Sequence, residues 1–426
     1  MKINLLKKNC FLIFYFILLL FFPLFPTLMG VSQLHINFIF FFVAFLALMM
    51  CVRISFDYFI LSSYILFFLL VLSSSILYGD VVFSDIPSIF RPLFLLVIFL
   101  FFLNYLAQGS DSEAQVYSIL KFTRLLKRML IPVIFFSLVI SLFEVFGEGL
   151  INDYIHFLYK REDRLDFASQ ATTFFGQTYY SGFVFLTIMT LIMGLTADKT
   201  SWSDWAVISF SFFIVLLSQS KPAIFVSFFL IFLFVALKAR TFFLIAVPFV
   251  FMLIALLHQY LFSFIIDILL GIDTIGTRSL LRMLEGVESS GSLSVRLNQI
   301  SETYYLVLGN NPFLGLGVGR GVLLESWVAE MMFRYGFIGI FVFIVMVFYL
   351  TFISLVSFFR LKKEGFVHAH LPLFLAIWFL SLPILLLSSN MIENSKTAIV
   401  SMFVIALTVR LNKATLTLKN NPLVSG

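Results

Sequence analysis

The sequence predicts an all-α polytopic membrane protein, and three observations predict it. Hydrophobic residues make up 61% of the 426 and charged residues only 12%, whereas a soluble domain carries about 45–50% apolar and about 25% charged residues. Mean hydropathy is +1.08. The apolar residues fall in repeated runs of about 20, the length a helix needs to cross a bilayer. They do not alternate in segments of about ten, as the strands of a membrane barrel do. The two cysteines, Cys10 and Cys51, lie in apolar runs and set up neither a disulfide framework nor a metal site.

Taken in order, the runs lie at 10–29, 34–52, 57–78, 86–107, 129–149, 171–196, 203–219, 221–237, 241–262, 336–359, 370–388 and 395–411. They predict about 12 transmembrane helices. Lys2, Lys7 and Lys8 before the first run imitate a signal peptide, but no small-x-small cleavage site follows, so the run reads as an uncleaved span. Ser218-Gln219-Ser220-Lys221-Pro222 splits two short runs, and Pro222 suits a first helical turn. The chain thus divides into residues 1–262 with about nine spans, one large loop at 263–335, and residues 336–426 with the last spans and a short tail.

Lys and Arg in short loops set orientation. With the N-terminus inside, most of the 28 basic residues fall on the inner side, including Arg53, the Lys121–Arg128 cluster, Lys238, Arg360, Lys363 and Lys413. Both termini are then cytoplasmic and the 263–335 loop is outside. Residues 114–128 place Val116, Ile119, Leu120 and Leu126 on one side and Lys121, Arg124 and Arg128 on another, the pattern of an interfacial helix on the inner leaflet. The tail is expected to be short and polar, without room for a nucleotide-binding domain, and no GxxxxGK[ST] occurs, so an ATP-driven pump is not expected.

A loop as long as 263–335 is expected to carry structure of its own. One helix is predicted over about 273–288, ended by Ser289-Ser290-Gly291-Ser292. A second is predicted over about 295–308, with Ser294 as N-cap, Gly309 as C′ residue and an apolar stripe of Leu297, Ile300, Tyr304 and Leu308. Arg296 lies off that stripe. The loop holds more acidic than basic residues, so nucleic acid is not a predicted partner.

Asn310-Asn311-Pro312-Phe313-Leu314-Gly315-Leu316-Gly317-Val318-Gly319-Arg320-Gly321 follows. Its glycines allow positive φ and close backbone approach. The spacing is not that of a dinucleotide loop, and composition alone fits a flexible re-entrant loop equally well. Glu325-Ser326-Trp327 then opens an amphipathic stretch, and Tyr335-Gly336-Phe337-Ile338-Gly339 leads into the next span.

This order of residues resembles the bacterial O-antigen ligase and O-antigen polymerase superfamily of lipid-linked glycosyltransferases. The resemblance rests on an outer-loop Arg296, a short helix, Asn-Pro-Phe-Leu-Gly-Leu-Gly-Val-Gly, the polar pair Glu325-Ser326, and Gly-Phe-Ile-Gly entering a helix. Ser218-Gln219-Ser220-Lys221 resembles that family's Ser-Arg site at a helix start, with Lys in place of Arg. Thr172-Thr173-Phe174-Phe175-Gly176, after Arg164, is similar to its earlier outer-loop segment. The ligases usually carry His-Asn where this chain has Glu325-Ser326, and residues 264–335 hold no His. The resemblance therefore favours a polymerase over a ligase. It implies a GT-C-like fold in the bacterial inner membrane, with its active face in the periplasm. The implied donor is an oligosaccharide on undecaprenyl pyrophosphate, the implied environment membrane lipid, and the implied partner a chain-length regulator protein.

Such chemistry expels a pyrophosphate, and without a metal fixed cations must stabilise its growing charge. Arg suits phosphate through its planar fork, and a base can take the acceptor hydroxyl proton. Arg296, Lys221 and Glu325 are the candidate catalytic residues, and Arg91, Arg164, Arg320 and Arg334 the candidate substrate-binding ones. Each has a plainer alternative. Arg296 fits a solvated helix face, Lys221 a snorkelling interfacial lysine, and Glu325 an exposed loop carboxylate. Arg91 fits a snorkelling side chain or a partner of Asp85, and as a charge at membrane depth, costing about 2.5–3.5 kcal/mol if central, it should face protein or water. The other three arginines fit ordinary surface positions. Lys221 stands at a helix start, where the macrodipole disfavours a cation, so a phosphate ligand would explain it. The five scattered His form no metal site, and no metal or other cofactor is expected. A secondary transporter or flippase is the competing class, but no internal repeat is visible and charge within the spans is sparse.

Overall fold

A computed structural model describes residues 2–22, 32–51, 54–78, 81–82, 85–106, 112–146, 158–159, 170–238, 266–268, 271, 291–318, 324–393 and 395–418. Within them the chain is helical, with no strand. Among the described residues twelve helices follow in order: α1 (Lys2–Phe21), α2 (Ser32–Met49), α3 (Tyr58–Tyr78), α4 (Ile86–Tyr105), α5 (Ser112–Phe146), α6 (Thr178–Thr196), α7 (Trp202–Leu217), α8 (Lys221–Lys238), α9 (Gly291–Asn310), α10 (Trp327–Lys363), α11 (His370–Leu386) and α12 (Ser395–Leu418).

Seven of these are long and apolar enough to cross a membrane: α3, α4, α5, α6, α8, α10 and α12. Shorter apolar helices lie within α1, α2, α7 and α11. The protein is therefore an α-helical membrane protein. The expected span at 241–262 and the expected helix at 273–288 lie outside the described residues.

Three helices depart from expectation. The interfacial helix and the fifth span form a single α5 of 35 residues, about 50 Å long at 1.5 Å per residue. Val116, Ile119, Leu120 and Leu126 are buried against protein, so the apolar face of 114–128 packs inward and does not lie on a lipid leaflet. The expected span 171–196 becomes helical only at Thr178, because Thr173 and Gly176 take positive φ and break the helical path. The helix expected over 295–308 runs from Gly291 to Asn310, so Ser294 does not cap it and Gly309 lies inside it.

The chain forms two compact units. The first comprises Met1–Phe22, Thr27–Met129 and Ser292–Gly426, and the second Pro23–Pro26 and Leu130–Gly291. In the first, α4 packs on α2, α3 and α12, while α10 packs on α3, α11 and α12. Phenylalanines fill this core, as at Phe99, Phe101, Phe102, Phe374 and Phe379. Phe102 meets Phe403 edge to face at 5.3 Å between ring centres, a favoured aromatic geometry. In the second unit α6 is buried along nearly its whole length between α7 and α8. Small residues permit this: a Cβ at Gly182 would stand 2.9 Å from both Ser218 Oγ and Ser220 Cβ.

Candidate functional site

In the first unit the Asn-Pro-Phe-Leu-Gly-Leu-Gly segment forms a clasp between α9 and α10. The N–H of Leu316 donates to Phe333 O at 2.6 Å, that of Phe337 to Pro312 O at 2.9 Å, and that of Gly315 to Asn311 O at 3.1 Å. Asn311 Nδ2 donates to the Tyr78 hydroxyl at 3.1 Å, and Val318 N–H to Ser75 Oγ at 3.2 Å. Leu316 is buried with Val307 and Phe333. Gly336 breaks α10 with φ +62°, and a Cβ there would collide with the Phe313 carbonyl oxygen. A Cβ on Gly315, at φ +73°, would lie 2.6 Å from Phe333 O. The flexible re-entrant reading of this segment fails through Val318, because its backbone groups are bonded to α10 and α3. Residues 319–323, with Arg320, lie outside the described residues.

The clasp sets α9 beside the start of α10. Gln299 Oε1 accepts from the backbone N–H of Glu325 at 3.0 Å and of Ser326 at 3.3 Å, satisfying donors at a helix start that would otherwise lack partners. Arg296 stands one turn earlier on the same face of α9. Its Nη2 lies 3.8 Å from Glu325 Oε2, with the side chains 20% and 60% exposed. The Arg296 Nε is buried without a hydrogen-bond partner among the described residues. Two candidate residues 29 positions apart are thus neighbours, joined by a loose, half-solvated ion pair. The guanidinium keeps donors for an anion, and Glu325 keeps contact with solvent.

The inward face of α9 also corrects the plainer alternative for Arg296. Arg296, Gln299, Thr303 and Val307 turn toward the protein, Thr303 and Val307 being buried. The Leu297–Tyr304–Leu308 stripe is the exposed side.

Arg334 lies near the clasp but in a different environment. Its Nη2 is 2.7 Å from Glu330 Oε1 and its Nη1 3.2 Å from Glu393 Oε2. Glu393 also accepts from Tyr335 Oη at 2.8 Å and Asn390 Nδ2 at 3.1 Å. Arg91 lies in the first turns of α4, which packs on α3 and α12. A phosphate at Arg334 would have to displace a carboxylate, so its geometry is that of a structural tie between α10 and the α11–α12 connection. Beside the tie is a small hollow lined by Tyr64, Phe67, Trp327, Met331, Phe343 and Glu393 among others. The Tyr64 hydroxyl in it is buried without a partner among the described residues.

In the second unit, two further motifs of the sequence meet. Glu144 accepts from the N–H of Thr172 at 3.1 Å, the N–H of Thr173 at 2.9 Å and the Thr172 hydroxyl at 2.8 Å. This carboxylate holds Thr173 at φ +47°, a conformation that costs a non-glycine residue about 1–3 kcal/mol. Ala171 N–H donates to Leu217 O at 3.0 Å, tying the segment to the turn before Lys221. Gln219 in that turn has φ +56°, and Ser220 Oγ is buried without a hydrogen-bond partner among the described residues. Lys221 follows as the exposed first residue of α8. Arg164 lies outside the described residues.

The structure therefore joins Arg296 to Glu325, holds Arg334 between two carboxylates, and ties Ala171 to Leu217 in the turn before Lys221. Sequence reasoning missed Glu393, Gln299, Glu330 and Glu144 as partners of these groups. Glu144 and Glu393, rare carboxylates within or beside apolar runs, were signals that such partners existed. Lys396 is buried at the start of α12 and donates to Leu20 O at 2.8 Å. Among the described residues no group of three or more His, Cys, Asp and Glu is placed to hold a metal ion. No protein-family model matches the chain, and no curated protein matches it.

Proposed function

We propose that the protein is a polymerase of O-antigen or capsular polysaccharide. It transfers a glycan from undecaprenyl pyrophosphate to a sugar hydroxyl of another lipid-linked repeat unit. In this reading it is a GT-C-like enzyme of the bacterial inner membrane with about 12 spans, both termini cytoplasmic and the active face periplasmic. It uses no metal and works with membrane lipid and a chain-length regulator protein. The observation that carries the reading is the meeting of Arg296 and Glu325 across the Asn-Pro-Phe-Leu-Gly-Leu-Gly clasp. A cation with unused donors stands beside a solvated carboxylate at the edge of a membrane domain.

The roles follow from the chemistry. Arg296 stabilises the negative charge growing on the departing pyrophosphate. Glu325 takes the proton of the attacking hydroxyl as the new C1–O bond forms and the C1–O–phosphate bond breaks. Lys221 enters on its own grounds: the positive end of α8 disfavours a cation there unless an anion is bound. Arg91 supports binding from the membrane side, and Arg164 and Arg320 are secondary phosphate contacts. Arg334 is retained for holding the site together, since carboxylates occupy its guanidinium.

The alternative is a ligase moving glycan to lipid A core, the same chemistry on another acceptor. A transporter or flippase is a third reading, which the gathering of candidate groups around helix starts and loops does not favour. Surface glycan banding in a deletion strain tests the proposal. Loss of chains longer than one repeat supports the polymerase, loss of all attached chain identifies a ligase, and unchanged banding rejects both.

A further inference from the structure

We propose that α9 lies in the membrane–water interface, with its Leu297–Ile300–Tyr304–Leu308 stripe buried in lipid. The inference goes beyond the enzymatic reading and does not rest on it.

At 3.6 residues per turn α9 has three sides. The first, Arg296, Gln299, Thr303 and Val307, faces the protein. The second is the apolar stripe, with Leu297 54%, Tyr304 42% and Leu308 50% exposed and Ile300 half-buried. The third is exposed and carries the polar Asn298 and Glu302 with Tyr305. Val295 and Leu306 are exposed on this third side as well, flanking Glu302, so it is mixed where the stripe is wholly apolar. A helix in water needs no second apolar side once its inward face is packed. A helix with one side on protein, one in lipid and one in water needs all three.

Continuity with a membrane-spanning surface names the occupant. The Tyr304 ring stands 5.8 Å from that of Phe337, centre to centre. Phe337 is the first residue after the Gly336 break in α10, a helix long and apolar enough to cross the membrane. Phe341, Ile344, Phe348 and Phe352 continue from it at helical spacing, and all are exposed. That stripe has the surface of a lipid-facing helix, and the α9 stripe extends it past the break. Phe313, in the clasp between the two, is also exposed. Tyrosines at the junction fit the interfacial zone, where an amphipathic ring has one end apolar and the other wet. The proposal fixes the position of Arg296: it sits at headgroup height, on the side of α9 that faces protein.

Fluorescence quenching in proteoliposomes tests this with the full chain. Cys10 and Cys51 are replaced by Ser, and single cysteines are placed as Leu297→Cys, Leu308→Cys and Glu302→Cys, then labelled with a small environment-sensitive dye. All three sites are exposed, so substitution should leave the fold intact, and two independent stripe positions guard against failure at one. A lipid spin-labelled near its headgroup should quench the dye at 297 and 308, while iodide in the buffer quenches it at 302. Iodide quenching at 297 and 308 as strong as at 302 would put the stripe in water and overturn the proposal. Shielding of 297 and 308 from both quenchers would show that protein covers them, and would equally overturn it. The readout is position, so loss or retention of enzymatic activity does not affect the outcome.

Discussion

Arg296 holds its charge on the inward face of α9, one turn before Gln299, whose amide oxygen accepts from Glu325 and Ser326. Its ion pair with Glu325 is long and partly solvated, and such pairs contribute about 0–1 kcal/mol. Arg296→Ala should therefore leave thermal unfolding nearly unchanged. If the guanidinium stabilises a developing pyrophosphate, the same variant should lose about 10²–10³ in rate, or about 2.7–4 kcal/mol. Arg296→Lys should also be impaired, because an ammonium cannot bond two oxygens at once. Chain length at matched protein levels is the measurement, and normal long chains from Arg296→Ala would remove it from the site. Lys221 is predicted separately: Lys221→Ala stops chain growth and Lys221→Arg retains it, since either cation can meet an anion at the start of α8. The pairing of Arg296 with Glu325 could not be read from the sequence. It depends on Gln299, a residue of no special type, accepting two backbone N–H groups 26 and 27 residues away.

At the scale of elements, the clasp and the Arg334 tie fix how α10 begins. Gly336→Ala must accommodate a Cβ against the Phe313 carbonyl at positive φ. Backbone strain of this kind costs about 1–3 kcal/mol and overpacking typically about 1–3 more. The variant should melt well below the parent in detergent, and an unchanged Tm would show that the break in α10 is not required. Glu393→Ala leaves the mostly buried Arg334 with Glu330 alone and Tyr335 without its acceptor. Removing one partner of a buried pair costs about 3–5 kcal/mol, whereas Asn390→Ala removes one hydrogen bond to a charged group, about 1.5–3 kcal/mol. Thermal unfolding should rank the two in that order, and equal small losses would contradict the tie. Here the sequence was partly legible. The glycines at 315 and 317 announced positive φ and close approach, and both occur. The exposure of the Leu297 stripe was not legible, because apolar periodicity marks a face without saying whether protein or lipid covers it. Nor was the fusion of 114–128 with the following span, since charged residues at its outer edge look alike on a surface helix and on a long buried one.

At the scale of the whole molecule, hydropathy identified an α-helical membrane protein, with seven described helices long and apolar enough to cross a membrane, because the requirement for internally satisfied backbone leaves few alternatives to a helix in lipid. Their assembly was not readable from order alone. The first unit gathers helices from both ends of the chain, and its charged tie joins residues 59 positions apart. The central claim is that this scaffold extends a glycan held on polyprenyl pyrophosphate using its own cations. The most direct test is purified protein in proteoliposomes, supplied with undecaprenyl-pyrophosphate-linked repeat units in excess chelator. The account predicts a ladder of lengthening chains and release of one undecaprenyl pyrophosphate per bond formed, with both lost in Arg296→Ala. A folded protein that yields no ladder from that donor, or one that needs Mg²⁺ or Mn²⁺ to do so, would contradict it.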